Sequence, residues 1–167
     1  LDDPRAHDLK AYFEANLPEQ EPARVVHGDY GLHNVLVGAD GRLTAVLDWE
    51  ICTLGDPLAD LAYALNQWVE PGEGMDGDTA PTAIAGFPPR AELAARYGER
   101  TGRDLSRLDY YVGFNRWKTA AIVHGVYARY MAGQKSSEGV DLEHMRSRID
   151  HALSQAATAV ERLERSG

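Results

Sequence analysis

The 167-residue sequence has a single cysteine, Cys52, so no disulfide can form within the chain. Disulfides belong mainly to oxidising compartments, and the lack of a pair favours a cytoplasmic origin. Basic residues are also scarce: 17 Lys and Arg stand against 26 Asp and Glu, and the net charge of −9 argues against nonspecific nucleic-acid binding. No apolar run approaches the roughly 20 residues that cross a bilayer, so we expect no membrane partner.

The bulk composition is that of an ordinary globular protein, with 44% hydrophobic and 26% charged residues. A chain of this length can bury a core of its own, so we expect one domain over residues 1–167. Helix signals cover most of the sequence and strand signals are short. The pattern predicts an α+β fold that is mostly α.

Capping residues set the boundaries of the predicted helices. A helix over Pro4–Asn16 begins with an acidic cap, Asp3, and has proline in its first turn. A helix over Pro57–Trp68 begins in the same way after Asp56. We also predict helices over Pro89–Gly102, Ser106–Ala132 and Gly139–Arg165, an extended segment over Arg24–Val26, and a long loop over Val69–Pro89.

A β-hairpin is predicted in the first third of the chain. Two short β-rich runs, Val35–Val37 and Leu43–Leu47, are separated by a Gly-bounded segment that contains Asp-Gly. Antiparallel pairing brings the start of the first strand close to the end of the second. Asn34 and Asp48, which flank the hairpin, are therefore expected to lie near one another, so that one metal ion contacts both.

The loop that precedes the hairpin carries a pattern suited to phosphoryl transfer. Asp29 and Asn34 form D-x-x-x-x-N, and Asp48 follows at the end of an apolar run. Such a reaction needs a carboxylate to take the proton of an attacking hydroxyl, and oxygen ligands to hold Mg²⁺ on the phosphates. Asp29 is the candidate base, Asn34 and Asp48 are the candidate magnesium ligands, and Glu50 is a candidate further ligand or a group behind them.

The neighbours of Asp29 have structural explanations as well. His27 and His33 flank it and raise the alternative of a zinc site, but no further ligand lies at metal-site spacing. Two glycines in the same loop indicate tight backbone geometry, so we expect His27 to brace the loop through hydrogen bonds. Asp60 lies one turn inside a predicted helix and is expected to hydrogen-bond the loop as structural support.

These residues resemble the motifs of the aminoglycoside phosphotransferase and choline kinase superfamily, whose fold is similar to that of protein kinases. Its signature H-G-D-x-x-x-x-N is matched by His27–Asn34, and its G-D-P-x-x-D-L by Gly55–Leu61. Its metal-binding aspartate is matched by Asp48 in L-D-W-E. The resemblance implies that Asp29 is the base, that Asn34 and Asp48 bind Mg²⁺, and that ATP is the donor.

A second match is similar to one branch of this superfamily. Ala120–Tyr130 and Gly133–Ser137 resemble the kinase-like domains of acyl-CoA dehydrogenase family members 10 and 11. With both matches, the resemblance covers most of Val25–Ser137. In that branch the implied acceptor is a hydroxylated acyl compound, including a CoA thioester, rather than an antibiotic.

The chain departs from the superfamily before Val25. Members have an N-terminal lobe with a phosphate-covering loop and a strand Lys paired with a Glu. Only 24 residues precede Val25, they contain no Gly-rich loop, and Lys10 lies in a helical pattern. We therefore expect a kinase-like C-terminal lobe, with a small hairpin that carries the metal site and a missing N-terminal nucleotide-binding lobe as its partner.

The function predicted on this basis is that of the catalytic lobe of an ATP-dependent small-molecule O-phosphotransferase. The γ-phosphoryl group would pass to the hydroxyl of a hydroxyacyl compound or an aminoglycoside-like alcohol, with Mg²⁺ and ATP as cofactors. The chain alone is expected to be inactive without the other lobe. The alternative is a non-catalytic, stand-alone lobe that binds a ligand or partner. In either case an exposed lobe interface is expected to promote self-association.

Overall fold

A computed structural model of the chain describes residues 3–19, 22–73 and 80–166. Its helices are α1 (Pro4–Ala15), α2 (Pro57–Gln67), α3 (Arg90–Thr101), α4 (Leu108–Met131) and α5 (Leu142–Ser166). Its strands are β1 (Arg24–Val26), β2 (Val35–Val37), β3 (Leu43–Val46) and β4 (Thr53–Gly55). The fold is mostly helical with small sheets, as the sequence predicts. In the parts of the chain that the structure describes, no helix is long and apolar enough to span a membrane.

The predicted caps of the helices are confirmed. The Asp3 carboxylate accepts a hydrogen bond from the Arg5 backbone N–H at 2.9 Å, and the Asp56 carboxylate accepts one from Leu58 at 2.9 Å. Each bond satisfies an amide that has no partner inside its own helix. At the other end of a helix, Gly102 closes α3 in the left-handed conformation, with φ +67°, where glycine has no steric penalty.

The four strands form two antiparallel pairs rather than one sheet. The predicted hairpin is confirmed as β2 and β3, with Val35 opposite Val46, and beyond that pair the Leu47 N–H donates to the Asn34 carbonyl at 2.8 Å. β1 pairs with β4, a strand that the sequence analysis does not predict because three residues are too few to show a period. This second pair joins the two ends of the segment that contains the hairpin.

The chain divides into two compact units, of which one contains α1, α4 and α5. Phe13 of α1 is 3% exposed, and the Tyr110 ring packs edge-on against it at 5.4 Å between centroids. The Tyr110 hydroxyl also donates to the Phe13 carbonyl at 2.9 Å. In α5, Ile149, Leu153 and Ala156 lie on one face, at the spacing of an amphipathic helix, and are buried. This unit is therefore held by an aromatic cluster and one helix face.

The other unit, Gln20–Leu108, contains the four strands, α2, α3 and the candidate site. Helix α2 buries Leu58, Ala62 and Leu65 on one face. The loop that follows is tied down by the Thr82 hydroxyl, which accepts from the Val69 N–H at 2.9 Å and donates to the Val69 carbonyl at 2.8 Å. Residues 74–79 of the predicted loop lie outside the described residues.

Candidate active site

The loop that carries Asp29 is held by helix α2 through Asp60. The Asp60 carboxylate accepts the backbone N–H of His27 at 2.5 Å and that of Gly28 at 2.8 Å. The contact predicted for Asp60 is thus observed, and one side chain fixes two consecutive peptide units. Gly28 has φ +85°, and a Cβ there would lie 3.2 Å from the Ile51 carbonyl oxygen, so glycine is required by both conformation and space.

We expect Asp60→Asn to destabilise the protein and to lower any activity of the site. An amide has one acceptor oxygen, so one of the two loop N–H groups would face an NH₂ group instead. A poorly solvated N–H that loses its acceptor costs about 1–3 kcal/mol. Urea unfolding of the full-length protein measures the loss. Asp56→Asn is the matched control, because asparagine caps helices as well as aspartate; equal losses in both variants would contradict the proposed role of Asp60.

His27 braces the same loop from inside. Its side chain is 2% exposed, and its Nε2 lies 2.7 Å from the Leu47 carbonyl oxygen. A carbonyl only accepts, so Nε2 carries the hydrogen, while Nδ1 accepts the Asp29 backbone N–H at 3.3 Å. Both ring nitrogens are engaged within the protein, which disfavours the zinc alternative. Among the residues with described positions, no group of three or more His, Cys, Asp or Glu side chains is arranged to hold a metal ion.

Asp29 lies half-buried among hydrogen-bond donors. Its Oδ1 is 3.3 Å from His33 Nε2, its Oδ2 accepts from Asn34 Nδ2 at 3.1 Å, and the Tyr63 hydroxyl is a third partner. Burial raises the pKa of the Asp29 carboxyl, but the hydrogen bonds from Tyr63, His33 and Asn34 outweigh it, so the pKa lies below its usual value. The carboxylate is therefore ionised at neutral pH and can accept a proton.

Asn34 is buried and is oriented by Asp29. Its Nδ2 donates to the Asp29 carbonyl at 2.9 Å as well as to the Asp29 carboxylate, so both amide hydrogens point toward that residue. The orientation leaves Oδ1 as the side-chain atom that could bind a metal ion. Leu47 pairs with Asn34 across the hairpin, so Asp48, the next residue, comes to the same end. An amide oxygen and a carboxylate are hard donors of the kind that Mg²⁺ prefers, and the two residues fit this ion.

Asp48 has an unusual backbone. With φ 63° and ψ 54°, it is the only non-glycine residue at positive φ in the described ranges. Left-handed conformations of this kind are uncommon outside glycine and cluster at functional sites. The Asp48 side chain is exposed, and Glu50 is exposed on the 3₁₀ turn that follows. Both carboxylates are thus accessible to a cation, and the placement of Glu50 favours neither of its two predicted roles.

An apolar cavity of about 450 Å³ adjoins this loop within the same unit. Residues of the loop, the hairpin, α2, α3 and the segment near Thr82 line it. His33 belongs to the lining and also contacts Asp29, so the cavity reaches the immediate surroundings of the candidate base. None of the described side chains that line it is acidic. Its size and lining are those of a small-molecule site.

Sequence reasoning missed two residues of the site, Tyr63 and Gln67. Tyr63 hydrogen-bonds to Asp29, and Gln67 hydrogen-bonds to Tyr63 and lines the cavity. Their spacing from Asp60 is the available signal, because positions i, i+3 and i+7 share one face of a helix.

Comparison with known proteins finds a matching phosphotransferase family model and similar segments in acyl-CoA dehydrogenase family members. Residues 1–111 match the sequence model of the phosphotransferase enzyme family. The chain is 33% identical over 147 residues to acyl-CoA dehydrogenase family member 11 of Gallus gallus, covering 82% of the chain and 19% of that protein. It is 34% identical over 140 residues to family member 10 of Mus musculus, covering 80% of the chain and 13% of that protein. The chain therefore spans less than a fifth of these curated relatives.

One solved structure in particular supports the fold. A protein of Ralstonia eutropha JMP134, assigned as an aminoglycoside phosphotransferase, aligns with a TM-score of 0.68 and 28% identity, over 93% of this chain and 49% of that one. A thermostable mutant of aminoglycoside phosphotransferase APH(4)-Ia, solved with AMP-PNP and hygromycin B, aligns with a TM-score of 0.49 and 22% identity, over 92% of this chain and 43% of that one. The family model, which covers most of the chain, decides the assignment. The chain belongs to the phosphotransferase enzyme family.

Proposed function

We propose that this chain is the catalytic lobe of an ATP-dependent small-molecule O-phosphotransferase. The observation that carries the proposal is the surrounding of Asp29: an ionised carboxylate fixed by His33, Asn34 and Tyr63 beside an apolar cavity. A carboxylate held in this way can accept a hydrogen bond from an alcohol and take its proton as the oxygen attacks phosphorus. The same hydrogen bond would orient the hydroxyl for attack, as suits a loose transition state.

Magnesium and ATP complete the proposed reaction. Asn34 Oδ1 and the Asp48 carboxylate would hold Mg²⁺, with Glu50 as a further candidate ligand. The ion would neutralise charge on the transferring phosphates. Few protein ligands are needed, because Mg²⁺ keeps several waters and binds phosphate oxygens directly. The lack of a larger acidic cluster among the described residues is compatible with this site.

The cavity favours one class of acceptor over the other. An aminoglycoside carries several amino groups that need carboxylate partners, and the described lining of the cavity offers none. Leu61, Leu65 and Leu93 suit a hydrocarbon chain instead. We therefore propose a hydroxylated acyl compound, which would place its chain among these side chains and its hydroxyl near Asp29.

We further propose a nucleotide-binding lobe as the partner of the hairpin and of the β1–β4 pair. Large apolar side chains on these elements are exposed, including Val25 (65%), Val37 (59%) and Leu54 (72%). Val25 and Leu54 lie opposite each other in the β1–β4 pair, and apolar side chains exposed in this way are typical of an interface. If no other lobe covers it, the chain should self-associate. Light scattering that shows a clean monomer of the chain at high concentration would contradict this proposal.

The test is a phosphorylation assay with Mg-ATP and two acceptor panels. The full-length protein is expected to phosphorylate hydroxylated acyl compounds and not aminoglycosides, with the product identified by mass spectrometry. Reaction with aminoglycosides alone would overturn the acceptor class, and no reaction with either panel would count against the function. The chain assayed by itself should be inactive; equal activity would show that no second lobe is needed.

A further inference from the structure

Helix α2 directs three polar side chains toward the loop of the candidate base. Asp60 accepts the backbone N–H groups of His27 and Gly28. One turn later, Tyr63 hydrogen-bonds to the Asp29 carboxylate, and a further turn along, Gln67 hydrogen-bonds to Tyr63. Residues three and four apart on a helix are neighbours on its surface, so these side chains form one continuous row. The opposite face of the helix is the buried, apolar one.

The hydrogen bonds of this row run in one direction. An ionised carboxylate only accepts, so the Tyr63 hydroxyl donates to Asp29. Burial and the bond to Asp29 raise the pKa of Tyr63 to about 12, which keeps its proton in place at physiological pH. The Gln67 amide then donates to the Tyr63 oxygen, since the Tyr63 proton is already used. The Tyr63 hydroxyl thus donates to Asp29 and accepts from Gln67. These two hydrogen bonds leave the hydroxyl little freedom to rotate.

Gly31 provides the space that this arrangement needs. A Cβ at residue 31 would lie 2.9 Å from Gln67 Oε1 and 2.9 Å from His33 Nδ1, closer than atoms of these kinds approach. The ends of the Gln67 and His33 side chains therefore both lie beside Gly31, and both residues line the apolar cavity. His33 contacts Asp29 directly and Gln67 contacts it through Tyr63. Two residues of the cavity wall therefore also contact Asp29, directly or through Tyr63, so a change in the wall can alter the orientation of the base.

We propose that Tyr63 is a positioning residue that fixes the orientation of the Asp29 carboxylate, and that Gln67 links this orientation to the occupant of the cavity. The inference rests on the proposed function of the same site. Asn34 and His33 each contact one Asp29 oxygen, and Tyr63 adds a third donor from the helix. A carboxylate held by three donors keeps one rotamer, and it retains acceptor capacity for the hydroxyl of the acceptor. Orientation of this kind contributes to the rate of the chemical step and little to substrate binding.

The experiment is Tyr63→Phe in the full-length protein, assayed with Mg-ATP and a hydroxylated acyl acceptor. We expect kcat to fall roughly 10- to 100-fold, as a misplaced catalytic group does, while KM for acceptor and for ATP change less than about twofold. Tyr127→Phe on α4 is the matched control and should leave kcat unchanged. Gln67→Leu, which leaves the Tyr63 hydroxyl in place, should lower kcat less and raise KM for the acceptor.

The outcomes are distinguishable. Wild-type kcat in Tyr63→Phe, or a change confined to KM, would overturn the positioning role. If Tyr63→Phe fails to fold by circular dichroism, Gln67→Leu decides: a fall in kcat supports the inference and an unchanged kcat overturns it. Asp29→Asn, assayed in parallel, separates the positioning role of Tyr63 from the assignment of Asp29 as the base. An inactive Asp29→Asn beside a fully active Tyr63→Phe would refute this inference alone, and an active Asp29→Asn would refute the assignment of the base.

Discussion

Asp29→Asn in the full-length protein is expected to lower kcat for phosphoryl transfer by about 10²–10⁴-fold, the range that a general base contributes. The asparagine keeps the size of the side chain, but it cannot take a proton, and its NH₂ group replaces one of the two oxygens that accept hydrogen bonds from His33, Asn34 and Tyr63. Binding of Mg-ATP should persist, because the proposed magnesium ligands, Asn34 and Asp48, are unchanged. Steady-state kinetics measures the first effect and isothermal titration with a non-hydrolysable ATP analogue measures the second.

Asp40→Asn is the control for this experiment. Asp40 is exposed in the hairpin turn, where its carboxylate accepts the Arg42 backbone N–H at 3.1 Å, a role that asparagine also fills. The control variant should keep full activity. Loss of nucleotide binding in Asp29→Asn would indicate that the carboxylate supports the nucleotide site rather than the acceptor, and undiminished turnover would refute the assignment of the base.

Replacement of Asp48 is expected to separate activity from stability. Both Asp48→Ala and Asp48→Gly remove the proposed magnesium ligand and should lower kcat by about 10²–10³-fold, as loss of a strong electrostatic contact does. Their stabilities should differ, because residue 48 has φ 63°. Alanine pays roughly 1–2 kcal/mol in the left-handed region and glycine does not, so the glycine variant should be the more stable by about 1 kcal/mol.

The two effects are measured independently. Titration of activity with Mg²⁺ reports on the ligand, and urea unfolding of the two variants reports on the backbone. If the activity of both variants depends on Mg²⁺ concentration as in the wild type, Asp48 is not a magnesium ligand. Equal unfolding free energies of the alanine and glycine variants would show that residue 48 leaves the left-handed region once its carboxylate is gone.

The parts of the fold that could be predicted from the sequence depend on neighbouring residues. The caps Asp3 and Asp56 act within one helical turn, and the β2–β3 hairpin closes over a few residues, so short patterns suffice. β4 could not be predicted in this way. It is three residues long and becomes a strand only because β1, far away in the sequence, pairs with it.

In the candidate site, too, the features set by local sequence could be predicted and those set by tertiary structure could not. The motif spacing predicts Asp29, Asn34 and Asp48 together, and the hairpin explains why two of them come to one end. The role of Tyr63 could not be read in the same way, because a tyrosine in a helix is more often part of the core. Its significance depends on how α2 packs against the loop. The left-handed backbone of Asp48 is likewise a result of tertiary structure, since nothing in the local sequence requires it.

The attachment of the loop to Asp60 has a consequence for motion. The peptide units of His27 and Gly28 can leave their positions only if the bonds to a helical side chain break at the same time. The loop should therefore open and close together with α2, as one cooperative unit with one local unfolding free energy, rather than as a mobile surface segment. The base would keep its place for as long as the helix keeps its turns, and fraying of α2 at Gln67 would be transmitted to the reaction centre.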